Sequence, residues 1–222
     1  MPFTYEHPHP AVTTDIVIFT IRQDALKVLL IKRALSPFQG CWALPGGFVE
    51  MDESLEEGAR RELEEETGVS GVYLEQLYTF GRPDRDPRER VITVAYYALV
   101  PSDAMELRAA SDAEGVGWFG IDELPELAFD HDEILAMARQ RLVAKLDYST
   151  IAFQFMPAEF TLSELQNTYE LILTGPVDKR NFRKRILALG VIEETHREKR
   201  EGPHRPAKLY RMVDRDRVEI IK

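Results

Sequence analysis

The sequence predicts an α/β chain: a three-layer α/β/α sandwich of mixed strands between helices, followed by a small helical module ending in a hairpin. Three observations predict it. Up to Thr150, short β-branched and aliphatic runs alternate with two helical stretches. Beyond Thr150 come two close-spaced helical stripes, broken by Gly175-Pro176, and then two strand candidates. The charge changes at the same place. From Thr150 onward about 14 Lys/Arg stand against 11 Asp/Glu, about +3, whereas the remainder carries about −13 of the chain's formal −10. A chain of 222 residues suits one medium and one small domain, divided here as 1–149 and 150–222.

The bulk composition is that of a globular protein, 44% hydrophobic and 30% charged. No apolar run approaches the ~18 residues of a membrane span, and MPFTYEHPHP has neither the basic nor the apolar region of a signal peptide. The lone Cys41 excludes an intramolecular disulfide. The expectation is a cytoplasmic protein with no membrane partner.

In chain order, Thr14 to Thr20 and Leu26 to Lys32 read as two strands of a hairpin joined through IRQDA. Arg33 to Gly40 is a loop, and Trp42 to Leu44 leads through Pro45 into a Gly46-Gly47 turn. There follows a helix of about four turns ending at Gly68. At roughly 100° per residue, Leu55, Ala59 and Leu63 share one side, while Glu56, Glu57, Arg60, Arg61 and Glu64 take the solvated arc. Glu62, Glu65 and Glu66 fall on or beside the apolar side. Burying unpaired charge costs several kcal/mol per ion, so something positive must meet them. Their i, i+3, i+4 spacing converges three hard oxygens on one patch, which suits Mg²⁺ (or Mn²⁺), with the exposed backbone of Gly46 facing the same ion. Gly58, one turn earlier, leaves room for a loop or a phosphate.

The stretch GGFVEMDESLEEGARRELEEETGV resembles the Nudix box, G-x5-E-x7-R-E-U-x-E-E-x-G-U. Gly47, Glu53, Arg61, Glu62, Leu63, Glu65, Glu66, Gly68 and Val69 fill every fixed position over 47–69. The resemblance implies the Nudix fold, divalent cations at Glu62, Glu65 and Glu66, and a supporting role for Glu53 with Arg61 as partner.

Val72 to Phe80 and Val91 to Val100 are two further strands, with GRPDRDPRER looping between them. Arg82, Arg85, Arg88 and Arg90 in that loop suit bidentate phosphate contacts, and so does a solvated loop whose charges pair internally. The segment YLEQLYTFGRPDRDPRERVITVAYYALV is similar to the equivalent region of Nudix proteins that handle ADP-ribose, which places Arg82, Arg85 and Arg88 at a nucleoside diphosphate. Glu114, ahead of the Trp118 strand, matches the extra glutamate many Nudix hydrolases carry on a loop facing the metals, as general base or additional ligand. Trp42 and Phe38 are candidates to stack on a base, although a Trp beside Leu44 also suits a core. A helix over Ile134 to Leu146 closes this part, with Ile134, Met137, Ala138, Arg141, Leu142 and Leu146 in register.

In the second part Thr161-Leu162-Ser163-Glu164 fits a capping box, and Leu162, Leu165, Tyr169 and Ile172 supply an apolar stripe. A second helix, from about Lys179 to Leu189, buries Phe182, Ile186 and Leu189 and leaves Arg180, Asn181, Arg183 and Lys184 outward. Val191 to Thr195 and Leu209 to Val213 are strands joined by a basic loop. Helix, turn, basic helix and hairpin make the winged helix-turn-helix pattern. It would place Lys179, Arg180, Asn181, Arg183 and Lys184 in a major groove, with His204 and Arg205 on the wing.

FTLSELQNTYELILTGPVDKRNFRKRILALGVIEETHREKREGPHRPAKLYRM closely resembles the C-terminal module of the Nudix-related transcriptional regulators of NAD metabolism, the NrtR group. The resemblance implies a homodimer that binds operator DNA and releases it when its Nudix domain takes up ADP-ribose. Many members of that group have eroded Nudix boxes, whereas this chain keeps every carboxylate. The expectation is therefore an ADP-ribose-responsive regulator that retains Mg²⁺-dependent hydrolysis of ADP-ribose. The rival reading is an ADP-ribose pyrophosphatase whose accessory winged helix does not regulate transcription.

Overall fold

Strand-forming runs and capped helices alternate through a computed structural model that describes residues 6–101, 113–200, 206–215 and 217–221. Two long strands, β1 (Ala11–Arg22) and β2 (Ala25–Arg33), are joined through Gln23 and Asp24, both at positive φ. That is the geometry a two-residue hairpin turn needs to match strand twist. Both strands run past the expected limits because Ile16–Phe19 and Val28–Leu30 are buried on both faces.

Two short strands, β3 (Trp42–Ala43) and β4 (Gly46–Phe48), flank Pro45 where only a turn was expected. The helix α1 (Leu55–Thr67) follows, then β5 (Tyr73–Phe80), β6 (Val91–Val100), β7 (Ala113–Gly120) and α2 (His131–Tyr148). The seven strands form one sheet in the order β3-β2-β1-β6-β5, with β4 on β1 and β7 on β2. β4 is the consequential one. It pairs antiparallel with β1 in the register Thr13↔Phe48, Thr14↔Gly47 and Asp15↔Gly46, which pins the glycine turn against the sheet.

The C-terminal part begins with a short 3₁₀ helix, η1 (Ile151–Phe155), entirely buried, and β8 (Phe160–Thr161). Neither was expected, and both are too short to carry a period. Then come α3 (Leu162–Leu173), α4 (Lys179–Ala188), β9 (Ile192–Lys199) and β10 (Ala207–Met212). The predicted capping box forms: Thr161 Oγ1 accepts from Glu164 N, and Glu164 accepts from Thr161 N. The wing is a three-stranded sheet, β8-β10-β9. Its core joins Leu162, Leu165, Tyr169 and Ile172 of α3 to Phe182 and Ile186 of α4, with Tyr169 edge-on to Phe182 at 5.1 Å.

The chain separates into two compact units. Of the described residues, one gathers 6–19, 27–98 and 113–138; the other gathers 20–26, 99–101 and the chain from Arg139 onward. No described helix is long and apolar enough to cross a membrane.

Candidate functional site

The edge of α1 is built by its ends. Ser54 and Glu57 close a reciprocal capping box, and Gly68, left-handed at φ 71°, donates back to Glu64 O. With both ends fixed, the carboxylate edge faces the Gly46-Gly47 turn. Gly46 N donates to Glu66 Oε2 at 2.7 Å. Gly46 has φ 151°, and a Cβ there would stand 2.0 Å from Thr14 O, so only glycine permits this turn. A Cβ at Gly47 would stand 2.2 Å from Glu62 Oε1; the Glu62 carboxylate occupies the space the glycine leaves.

Arg61 was expected on the solvated arc. Instead it is the hub of this edge, because its long stem lets the guanidinium fold back over the helix start. It donates Nε and Nη2 to Glu53 (3.0 and 2.8 Å), Nη1 to Glu62 (2.8 Å) and Glu65 (3.2 Å), and Nη2 to Phe48 O (3.2 Å). Arg61, with the Glu50 N–H, holds the Glu53 carboxyl down at about 2. Glu53 also fills the gap at Gly58, lying 2.9 Å from where its Cβ would be, so that glycine serves Glu53 rather than a loop or a phosphate.

Glu66 differs from its neighbours. Among the described residues it bonds no cation directly, and burial pushes its carboxyl up to about 8 against the pull of the Gly46 N–H. Burial also raises Glu62, against Arg61. Glu65 remains exposed.

Beneath the turn lies a buried network that sequence reasoning missed. Arg85 gives Nε and Nη2 to Asp130 (3.0 and 2.7 Å) and Nη2 to Asp15 (3.2 Å), all three nearly inaccessible. His131 Nε2 lies 3.5 Å from Asp15 Oδ1, while its Nδ1 accepts from Leu44 N at 2.9 Å. The Nδ1 acceptor requires a neutral ring, and burial holds the His131 pKa below its ordinary value. The network ties Leu44 and the Asp15↔Gly46 register together just ahead of the glycine turn. An acid inside the apolar run TDIVIFT was the only local signal for it.

The substrate-facing expectation is corrected for Arg85, whose guanidinium, 5% exposed, is engaged by two buried carboxylates. Trp42 packs edge-on against Phe119 at 4.6 Å, as a sheet-edge residue would. Arg82 is exposed and paired with Asp84 and Glu133. Arg88 is exposed, doubly bonded to Asp86, and stands over the rings of Phe48 and Phe129 at 5.6 and 5.8 Å. Glu114 lies within β7 rather than on a loop ahead of it, and its side chain lies outside the described residues, as do His204 and Arg205.

On α4, Asp178 caps the helix by accepting from Asn181 N at 2.7 Å. Lys179, Arg180, Asn181 and Lys184 are exposed, and the three cations among them make no ion pair among the described residues. Arg183 is half-buried and donates to Ser163 Oγ, which sets it apart from the outward face expected for it. The wing cations are neutralised at home: Lys208 by Glu194, Arg211 by Glu193, Lys199 by Glu164 and Arg197 by Glu159. A cavity of about 720 Å³, lined in part by Ser163, Lys179, Arg183, Lys199 and Lys208, runs between α3, α4 and the wing.

Among the described residues no three His, Cys, Asp or Glu side chains are gathered into a metal-binding group. The α1 edge nevertheless fits a hard divalent cation in kind. Its donors are all oxygens, and Glu66 and Glu62 are desolvated beyond what their partners offset.

Comparisons with known proteins agree with both halves. Residues 10–138 match the family model "NUDIX domain", and residues 152–212 match "NrtR DNA-binding winged helix domain". The chain is 41% identical to the "ADPR responsive transcriptional repressor NtrR" of Acinetobacter baylyi, over 95% of this chain and 85% of that protein. It is 45% identical to an "ADP-ribose pyrophosphatase" of Methanocaldococcus jannaschii, over 57% of this chain and 72% of the relative. Shewanella oneidensis NrtR solved with a 27mer DNA superposes with a TM-score of 0.82 at 39% identity, covering 90% of this chain and 93% of that one. The Nudix domain of the same protein, solved with ADP ribose, superposes with a TM-score of 0.56 at 39% identity, over 61% and 90%.

Proposed function

The chain belongs to the NrtR group of the Nudix superfamily, and we propose that it is a transcriptional repressor released from operator DNA by ADP-ribose, with a Nudix cleft that hydrolyses the same ligand. The observation that carries the reading is Glu66: a carboxylate desolvated at a glycine turn, with no cation among the described residues bonded to it, in a chain whose other unit presents on one helix face cations that make no ion pair among the described residues. The complexes of the Shewanella relative with ADP ribose and with DNA supply the two ligands.

In the cleft, Glu62, Glu65 and Glu66, with the Gly46 backbone, would hold Mg²⁺ or Mn²⁺, whose chemistry there is to neutralise a diphosphate and acidify a bound water. Arg61 holds Glu62 and Glu65 in orientation through its Nη1. The Gly46 N–H and the Asp15↔Gly46 pairing fix Glu66 against the sheet. Arg88, over Phe48 and Phe129, borders the cleft where the ligand's phosphates would lie. The products would be AMP and ribose 5-phosphate.

On the winged helix, Lys179, Arg180 and Lys184 would neutralise phosphates, and Asn181 would read a base edge. A homodimer would set two such helices on a two-fold operator. Regulation requires only that ADP-ribose bind the DNA-free form more tightly than the DNA-bound form.

A gel shift on the DNA upstream of the protein's own gene tests the regulator: a shift at low salt that ADP-ribose reverses is expected. A shift indifferent to ADP-ribose would refute ligand control. Chromatography after incubation with ADP-ribose and Mg²⁺ tests the chemistry, and absence of AMP would refute hydrolysis.

A further inference from the structure

We infer that Arg33, at the end of β2, is the residue that grips the diphosphate of the nucleotide ligand, a position outside both the Nudix box and the arginine-rich loop; this rests on the reading that the cleft takes a nucleoside diphosphate. The other arginines of this unit that come near the cleft are already engaged. Arg61 is divided among Glu53, Glu62 and Glu65, Arg85 is locked between Asp15 and Asp130, Arg82 pairs with Asp84 and Glu133, and Arg88 is doubly bonded to Asp86. Arg33 alone among these five has no carboxylate within ion-pairing distance among the described residues.

It is not loose, however. Its Nε donates to Pro37 O at 2.9 Å, and its guanidinium stands 4.7 Å above the centre of the Phe129 ring. One hydrogen bond and one stacked face fix the plane of the group, and Nη1 and Nη2 make no hydrogen bond among the described residues. Two parallel N–H donors in a fixed plane are the fork that matches two oxygens of a phosphate. The platform is itself held. Phe129 adopts φ 56°, rare for an aromatic residue, next to Asp130 and His131 of the buried network, and Phe38 packs edge-on to it at 4.7 Å.

The electrostatics point the same way. Half-burial and the neighbouring Arg88 guanidinium lower the Arg33 pKa, while Glu66 and Asp86 pull in the opposite direction without offsetting them. A half-buried cation beside a second cation is a site short of an anion. Arg88 stands over both Phe129, the platform of Arg33, and Phe48, whose carbonyl accepts from Arg61 of the α1 edge; an ion on that edge and the Arg33 fork therefore border the same space, and a diphosphate between them would be neutralised from both sides. The arginine-rich loop then contributes shape, since Arg88 shares the Phe129 ring at 5.8 Å and carries its own counter-ion.

The test is calorimetric titration of the full chain with ADP-ribose in EDTA, so that no divalent ion contributes. Losing a charge-assisted phosphate fork should weaken Arg33→Gln by about tenfold to a hundredfold. Arg33→Lys, which keeps the charge and loses the fork, should fall between the two. The gap between wild type and Arg33→Gln should narrow as salt rises from about 0.05 to 0.5 M, a response that a packing defect does not produce. Wild-type protein that binds ADP-ribose together with Arg33→Gln within twofold of it would overturn the assignment alone. A gap that salt leaves unchanged would do the same. Wild-type protein that binds ADP-ribose only when Mg²⁺ is restored would overturn the assignment alone, since the ion and not Arg33 would then be the grip; protein that neither binds nor hydrolyses ADP-ribose with or without Mg²⁺ would overturn the proposed function beneath it.

Discussion

Two capped helices organise the two units of this chain, and they treat charge in opposite ways. On α1, Glu62 and Glu66 are drawn toward the sheet and desolvated until their carboxyl groups are pushed up, Glu66 to about 8. On α4, Lys179, Arg180 and Lys184 are exposed and make no ion pair among the described residues, while Phe182 and Ile186 fill the core. Desolvated carboxylates on one helix edge favour a small, hard counter-ion. Exposed cations spread along a helix suit a polyelectrolyte, whose many phosphates each contribute a little and release counter-ions. The contrast separates a site built for one ion and one nucleotide from a surface built for a long duplex.

The buried side of that contrast should break most sharply. Arg85→Ala leaves Asp15 and Asp130 buried and uncompensated, so the expected loss is about 3–5 kcal/mol of stability in urea unfolding. A loss below about 1 kcal/mol would show that the network does not hold the glycine turn. Next comes Glu66→Gln, which keeps an acceptor for the Gly46 N–H but removes the charge. Hydrolysis of ADP-ribose with Mg²⁺ should drop by about two to three orders of magnitude, while the melting temperature stays level or rises. Unchanged turnover would remove Glu66 from the site.

On the exposed side the effects are smaller and salt-dependent. Arg180→Ala with Lys184→Ala should leave the melting temperature alone and lower the salt dependence of DNA binding by about 0.9 per lost phosphate contact, roughly two in all. A slope identical to wild type, measured by fluorescence anisotropy across a salt series, would move the duplex off α4. The smallest effect concerns pH. Burial holds His131 below its ordinary pKa, so the folded form keeps a neutral ring that the unfolded chain protonates. The stability it contributes is therefore full above about pH 6.5 and is lost as pH falls below it, by at most about 1.4 kcal/mol per pH unit. The raised Glu66 carboxyl titrates in the same window with opposite sign, so the readout is the difference between two proteins: the change in urea midpoint from pH 5.5 to 7.5 should be more stabilising in wild type than in His131→Gln, and an identical change in both would remove His131 from the titration.

The local patterns were legible wherever a period or a cap wrote them into consecutive residues. The α1 and α3 helices, the Thr161 capping box, the glycine stop at Gly68 and the strand at Val91–Val100 all fall where the sequence puts them. The short pieces β3, β4, β8 and η1 were not legible, because two to five residues carry no periodicity. Within the site, the spacing of Glu62, Glu65 and Glu66 announced a shared edge. Nothing in GRPDRDPRER distinguished Arg85 from Arg82 or Arg88, although the first is buried and the other two are exposed.

The sequence by itself determined the class of the chain, the helix edge that collects carboxylates and the helix face that collects cations, since these depend on neighbours three and four residues apart. Only the tertiary structure decided which charges are paired. Asp15, Arg85, Asp130 and His131 meet from segments remote in the chain, and Arg33 has no ion-pairing carboxylate among the described residues because its neighbours Arg88 and Phe129 arrive from elsewhere. Pairing depends on distances of a few ångströms between segments remote in sequence, and no local pattern encodes such distances.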